Sequence, residues 1–381
     1  DELSDHIKVE TKDPDLYPKF TSQYTDQTVA ANSVIVVCGD KSKVVSNSDM
    51  WETSTNYQTY QTQTTGFDGE GQITSAITYV TSENNPKVYW VTGHGEASES
   101  DLSTNFSDAI NKNNVEISDL ALMTDDIPED AEELVIMSPT TDFSEDEANK
   151  VITYLENGGK LLMFTSYTGT DMPNLDSILE NYGVKRSSGI VVETDSQHYY
   201  PQMPYYLLPN IQSDDITTEV KSNYILMPVA QAIQKLDSYR DTITIKSLLT
   251  TTEDAYIEND PENSTWSKSA DSETGAFDLG VSITETVDDK ETQIIYFSSA
   301  SMLSSQIDQA ISGANSKLAA TALTSMCDVE QTVVIPSKST SYTNLVFTQG
   351  AVNTWSIITI AGIPLVLVVI GVMIWMKRRK Q

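Results

Sequence analysis

From Trp355 to Met376 the chain runs without a charged residue, and it then meets Lys377-Arg378-Arg379-Lys380. Wound as a helix, these 22 residues reach roughly 33 Å, against a hydrocarbon core of about 30 Å. The stretch WSIITIAGIPLVLVVIGVMIWM is apolar on every face, which suits lipid on all sides better than one side of a soluble core. A membrane-spanning helix is therefore expected within residues 351–376, followed by a basic tail, 377–381, that stays in the cytoplasm by the positive-inside bias. The large N-terminal region is then extracytoplasmic, moored to the cell membrane by its C-terminus. Pro364 does not veto the span, because neighbouring helices can re-satisfy the carbonyl it frees.

The chain as a whole, basic tail included, is strongly acidic, with 23 Lys and Arg against 55 Asp and Glu and a net charge of −32. Such a surface repels phosphate, so nucleic acid is excluded as a partner, and docking on anionic headgroups lacks the basic face it needs. Two cysteines cannot define a disulfide framework. Cys38 closes the apolar run from Ser33 and Cys327 closes a helical pattern, so both are expected as small buried side chains, with a bond between them left open. About 350 residues before the anchor are enough for two cores.

The clearest segment, Lys87 to Glu193, alternates apolar strand-like runs with amphipathic helices, which predicts an open, mostly parallel α/β sheet with flanking helices. Strands are expected at Val88–Thr92, Val115–Leu122, Leu134–Met137, Lys160–Thr165 and Gly189–Glu193. Leu102, Phe106, Ala109 and Ile110 form one helical stripe behind a candidate cap at Asp101. Ser144 and Glu147 make a capping box ahead of Ala148, Val151, Ile152 and Leu155, and Gly158-Gly159 ends that helix. A further helix runs from Asn174 to Tyr182. Upstream, strands are expected at Ile7–Glu10, Ser33–Cys38 and Lys43–Val45, with a helix around Ile73 to Val80. Residues 1–84 read as the remainder of an N-terminal α/β domain whose start lies upstream, and 85–350 as the main domain with insertions. Pro201, Pro204 and Pro209 predict a long loop, in which Tyr199, Tyr200, Tyr205 and Tyr206 either form an exposed partner-binding patch or fold over their own domain. Phe277 to Ser298 reads as a hairpin. The Asn/Asp/Ser-rich stretch from Glu258 to Gly275 reads as a surface insertion, Leu318 to Met326 as a last helix, and Val333 to Pro336 as the approach to the membrane.

Gly93-His94-Gly95-Glu96 follows a strand and precedes a helix, the place where open α/β sheets bind ligands. The pair can order the loop, touch a ligand or move a proton. Ser138 and Ser166, each just past a strand, stand where they could face His94 across the sheet edge. No G-x-S-x-G elbow, H-E-x-x-H, C-x-x-C or Walker phosphate loop occurs in the sequence. No metal and no cofactor are expected, and any ATP-driven step requires another subunit.

Several blocks in order resemble the GldG family, auxiliary subunits encoded with ABC transporters, some belonging to gliding machinery. They are IKVETKDPDLYPKF, NSVIVVCGDKSKVV, GEGQITSAITYVT, KVYWVTGHGE, IPEDAEELVIMSPTTDFSEDEANKVITYLENGGKLLMF and IPLVLVVIGVMIWMKRRK. The resemblance implies an amidotransferase-like α/β domain outside the membrane, beside an ABC permease and ATPase, and it brings no catalytic residues onto His94 or Glu96. The expected function is thus a non-enzymatic anchored subunit binding a polymer, lipid-linked substrate or envelope protein. The alternatives are a hydrolase or amidase using His94, Glu96 and a strand-end serine, and a sensor or adhesin with no transporter partner.

Overall fold

The computed structural model describes residues 6–13, 16–17, 19–25, 28–56, 61–82, 85–262, 265–327, 335, 338–339 and 347–379. The chain divides into two compact units, Asp1–Pro86 with Ile110–Val115 and Val329–Thr343, and Lys87–Ala109 with Glu116–Asp328 and Asn344–Gln381.

In the first unit, β1 (Val34–Cys38) and β2 (Lys41–Val45) form an antiparallel ribbon. The strands β3 (Trp51–Asn56) and β4 (Gln61–Phe67) form a second one, edged by the short strand Lys338–Ser339. Helix α1 (Gly69–Thr81) buries Ala76 against Val45 and Met50, with Val34 and Val36 packed around them.

The second unit is built on an 11-stranded sheet. Strand β5 (Lys87–Val91) leads through α2 (Thr104–Lys112) to β6 (Glu116–Leu120). Strand β7 (Glu133–Met137) leads through α3 (Glu145–Glu156) to β8 (Lys160–Phe164). β6 and β7 both pair parallel with β5, one on each side, and β8 pairs parallel with β7. Neighbouring strands β5 and β7 therefore send their helices in opposite directions, which opens a crevice above their carboxyl ends.

Helix α4 (Pro173–Asn181) and strand β9 (Val184–Val192) continue the chain into a second half of the sheet. Here lie β12 (Asn210–Ile211), β14 (Gln231–Lys235), β15 (Ile243–Thr250), β16 (Tyr256–Glu258), β17 (Asp278–Val287) and β18 (Lys290–Phe297), while β10 (Tyr199–Tyr200), β11 (Met203–Leu207) and β13 (Met227–Pro228) form a separate three-stranded sheet. β18 joins β8 in parallel, and from β17 outward the pairings with β15, β14, β9 and β16 are antiparallel. The expected open α/β sheet with flanking helices is thus present, its parallel run at one side and antiparallel strands continuing it. All five residues of β7 are buried, as a strand covered on both faces requires. Leu134, Ile136, Leu161 and Met163 meet Val151 and Leu155 of α3 and Leu175, Ile178 and Leu179 of α4 in one core. Full burial of each such side chain is worth about 1.5–3 kcal/mol. Helix α5 (Ser305–Ala310) precedes α6 (Ala314–Met326), which buries Leu318, Ala319, Ala322, Leu323 and Met326.

The C-terminal helix, Gln349–Arg379, is 31 residues long, and its apolar stretch is not buried against the rest of the protein. Its length, about 46 Å at 1.5 Å per residue, suffices to cross a membrane. A π turn at Ile358–Gly362 sits just ahead of Pro364. The wider turn accommodates a ring that would otherwise press on the carbonyl four residues back.

Several expectations are corrected. Ile7–Glu10 forms no strand. Asp101 does not cap α2: it closes a 3-10 turn, Glu99–Asp101, in a reciprocal capping box with Ser98. Cys38 is exposed and Cys327 buried, and both are free thiols. Cys38 pairs with Lys41 at the tight end of a two-stranded ribbon, where only one face can be covered. The proline-punctuated segment is no loop, because β10 and β11 pair as a hairpin with Pro201 and Gln202 at its turn. Val333, Val334 and Pro336 lie outside the described residues, as does Lys380 of the basic tail.

Candidate functional site

The loop after β5 lies at the carboxyl end of the β5–β7 pair, bonded to Met137 and to the segment that follows β7. Gly93 and Gly95 have φ of +123° and +77°, values that side chains resist. A Cβ on Gly95 would stand 2.1 Å from Thr140 Oγ1. The loop is stitched down by Thr140 and Thr141, whose N–H groups donate to the His94 carbonyl at 2.9 and 3.1 Å. Trp90 Nε1–H donates to the Ala97 carbonyl at 2.9 Å, and Ala97 N–H donates to the Met137 carbonyl at 2.9 Å.

His94 is 5% exposed, and each ring nitrogen faces a carboxylate. Nδ1 lies 3.2 Å from Glu96 Oε1, and Nε2 lies 3.3 Å from Glu147 Oε2. The His94 N–H also donates to Glu96 Oε2 at 2.7 Å. The Phe143 ring covers the imidazole at 4.3 Å. Both ring nitrogens are thus occupied by carboxylate oxygens of the protein itself.

Glu147 was legible only as a helix start, yet it is the hub of this arrangement. Its Oε2 accepts from the Ser144 N–H at 2.8 Å and the Ser144 hydroxyl at 2.7 Å while facing His94. Oε1 is buried with no partner among the described residues. Burial alone would raise its proton affinity, but the Ser144 donors and the nearby His94 outweigh it and hold the carboxyl below its ordinary range.

Ser138 and Ser166 do come together, hydroxyl to hydroxyl at 2.8 Å. Ser138 follows β7 with φ +54°, a left-handed conformation that costs a non-glycine residue about 1–2 kcal/mol. Its N–H donates to the Phe164 carbonyl at 2.8 Å. Among the described residues no hydrogen bond joins either serine to His94. The crevice thus holds a locked His94–Glu96–Glu147 cluster and a separate serine pair. The described residues contain no group of His, Cys, Asp and Glu suited to a metal ion.

A second buried carboxyl lies at the other end of β7. Glu133 is fully buried and accepts from the Cys327 thiol at 3.3 Å. Burial pushes Glu133 well above the carboxylate range, and burial together with Glu133 pushes the Cys327 thiol up.

Comparison with solved structures finds likenesses at low identity. The N-terminal domain of mmIFT52 is 15% identical with a TM-score of 0.46, covering 63% of this chain and 96% of that one. A ThuA-like protein from Parabacteroides merdae is 12% identical with a TM-score of 0.37, covering 70% and 99%. The exo-beta-1,4-mannosidase Op5Man5 from an Opitutaceae bacterium is 10% identical with a TM-score of 0.33, covering 66% and 37%. No curated protein matches the chain. Residues 85–325, which carry the sheet, the crevice and the hairpin, match the family described as ABC-type uncharacterized transport system, and the chain belongs to that family.

Proposed function

We propose that this protein is a membrane-anchored auxiliary subunit of an ABC-type transport system. Its acidic α/β body stands outside the cytoplasm beside the permease and binds a polymer, a lipid-linked substrate or an envelope protein. Family membership over residues 85–325 carries the reading. The long apolar helix ending in Lys377, Arg378 and Arg379 supports the anchor and its orientation. The sequence has no Walker phosphate loop, so a separate ATPase supplies the energy. The ordered sequence blocks support a GldG-like member.

We read the body as non-enzymatic. A hydrolase built on His94 needs a ring nitrogen free to take a proton from a serine, whereas both nitrogens face carboxylates. The test is a mild-detergent pull-down from native membranes, with protease added to intact cells as its companion. Co-purification of a permease and an ATPase, with digestion of the body from outside, is the expected result. Recovery of neither subunit, or a body spared by the protease, would refute the reading. His94→Ala without loss of transport-linked function is expected where the protein folds normally.

A further inference from the structure

The tyrosine-bearing hairpin β10–β11 is tied to the first turn of the C-terminal helix. The Gly350 N–H donates to the Ser196 carbonyl at 2.6 Å. The Gln202 N–H, at the hairpin tip, donates to Gln349 Oε1 at 2.9 Å. The Thr348 hydroxyl, which also caps the helix by accepting from the Ala351 N–H, donates to Gln197 Oε1 at 3.1 Å. Base and tip of the hairpin are therefore both fixed to residues 348–350.

The apolar run begins at Trp355, which is 61% exposed. From Gln349 to Trp355 the helix rises about 9 Å, close to the roughly 5–8 Å depth of one headgroup layer. The hairpin thus lies at the height of the headgroups when the helix spans, and its side chains cover the small remainder. Its composition fits that height. Between Ser196 and Ser213 there is no Asp, Glu, Lys or Arg, in a chain that is 20% charged. Instead it presents Tyr199, Tyr200, Tyr205 and Tyr206, all half-buried, and Met203, 37% exposed. Trp266 stacks on Tyr205 at 4.4 Å. Tyrosine and tryptophan favour the bilayer interface because an apolar ring and a polar tip are both satisfied there.

We propose that the β10–β11 hairpin is a second membrane contact, seated in the headgroup layer of the outer leaflet beside the anchor helix. Its partner is the uncharged, zwitterionic lipid interface, since the contact brings no cation to an anionic one. This rests on the anchored reading given above.

The test uses the full chain in phosphatidylcholine nanodiscs, in a Cys38→Ser background that retains the buried Cys327. A fluorophore is placed on Met203→Cys, on Ile370→Cys within the apolar helix, or on Val287→Cys. Val287 ends the ten-residue strand β17, about 30 Å along it from the end that supports the hairpin through Phe277 on Thr251, and Thr252 on Glu193, which bonds Pro204. Headgroup-spin-labelled lipid is expected to quench the probe at 203 at least about twofold more than the probe at 287, as suits a group within the interfacial layer. Equal quenching at 203 and 287, with the probe at 370 quenched by acyl-chain-labelled lipid, would overturn the hairpin contact and leave the anchor standing. An unquenched probe at 370 would overturn the anchor itself. A probe at 203 that lipid does not quench, yet is shielded from iodide in native membranes, would assign the hairpin to a protein partner and also overturn the proposal.

Discussion

Glu147→Ala removes a carboxylate that performs two tasks at once, and the structure allows the two to be separated. One task is capping α3, through the Ser144 N–H at 2.8 Å and the Ser144 hydroxyl at 2.7 Å. Ser144 is exposed, so water replaces part of what is lost, and the cap contributes about 1 kcal/mol. The other task is facing His94 Nε2 at 3.3 Å inside the protein. Leaving that nitrogen buried without its partner costs about 1–3 kcal/mol. The single variant should therefore lose about 2–4 kcal/mol. In a His94→Leu background only the cap remains to be lost, about 1 kcal/mol. Urea unfolding of the detergent-solubilised chain, followed by fluorescence of the buried Trp90 next to the loop, gives both numbers. A coupling of about 1–3 kcal/mol between the two sites is expected from the cycle. Additivity within experimental error would refute the view that Glu147 holds His94 in place.

Other outcomes follow from the same geometry. Glu133 is fully buried, and its folded-state pKa lies above its unfolded value. The unfolded chain releases that proton first, so stability falls as pH rises above the ordinary carboxylate range until the folded pKa is reached. Glu133→Gln should flatten that fall, and its urea midpoint relative to the parent should climb from mildly acidic to mildly alkaline pH; a constant offset would show that Glu133 does not titrate differently on folding. Gly183 has φ +82°, with a Cβ position 2.7 Å from the Tyr239 ring, so Gly183→Ala should lower stability by about 1–2 kcal/mol. An unchanged thermal midpoint would contradict this. Leu367→Arg with Ile370→Arg places two charges in the apolar helix, at about 3 kcal/mol each. The protein should then leave the carbonate-resistant membrane fraction, and its retention there would argue against this helix as the anchor.

Local patterns carried much of the fold. The run Glu133–Met137 is apolar past its first residue, as suits a strand buried on both faces, and the Ser144/Glu147 box marked a helix start that the structure reproduces. The crevice loop could be located because two glycines between a strand and a helix leave little else. Its chemistry was harder to see, because the contact that fixes His94 comes from a residue 53 positions away and depends on how α3 packs over β5 and β7. Prolines misled in the 195–210 region. Pro201 sits in the turn, and Pro204 contributes its carbonyl, accepting from the Glu193 N–H at 2.8 Å, so neither has to break the hairpin. Cys38 looked buried because its run is apolar, but a two-stranded ribbon leaves one face uncovered.

The bonds from Ser196, Gln197 and Gln202 to residues 348–350 give the helix a second attachment, to the β10–β11 hairpin, besides the chain itself. A shaft fastened at two points on its collar transmits torque, whereas one on a leash only sets distance. Rotation or tilt of the long apolar helix would therefore swing the unit that carries the His94 loop, and mechanical motion would pass between the two without any ligand moving between them.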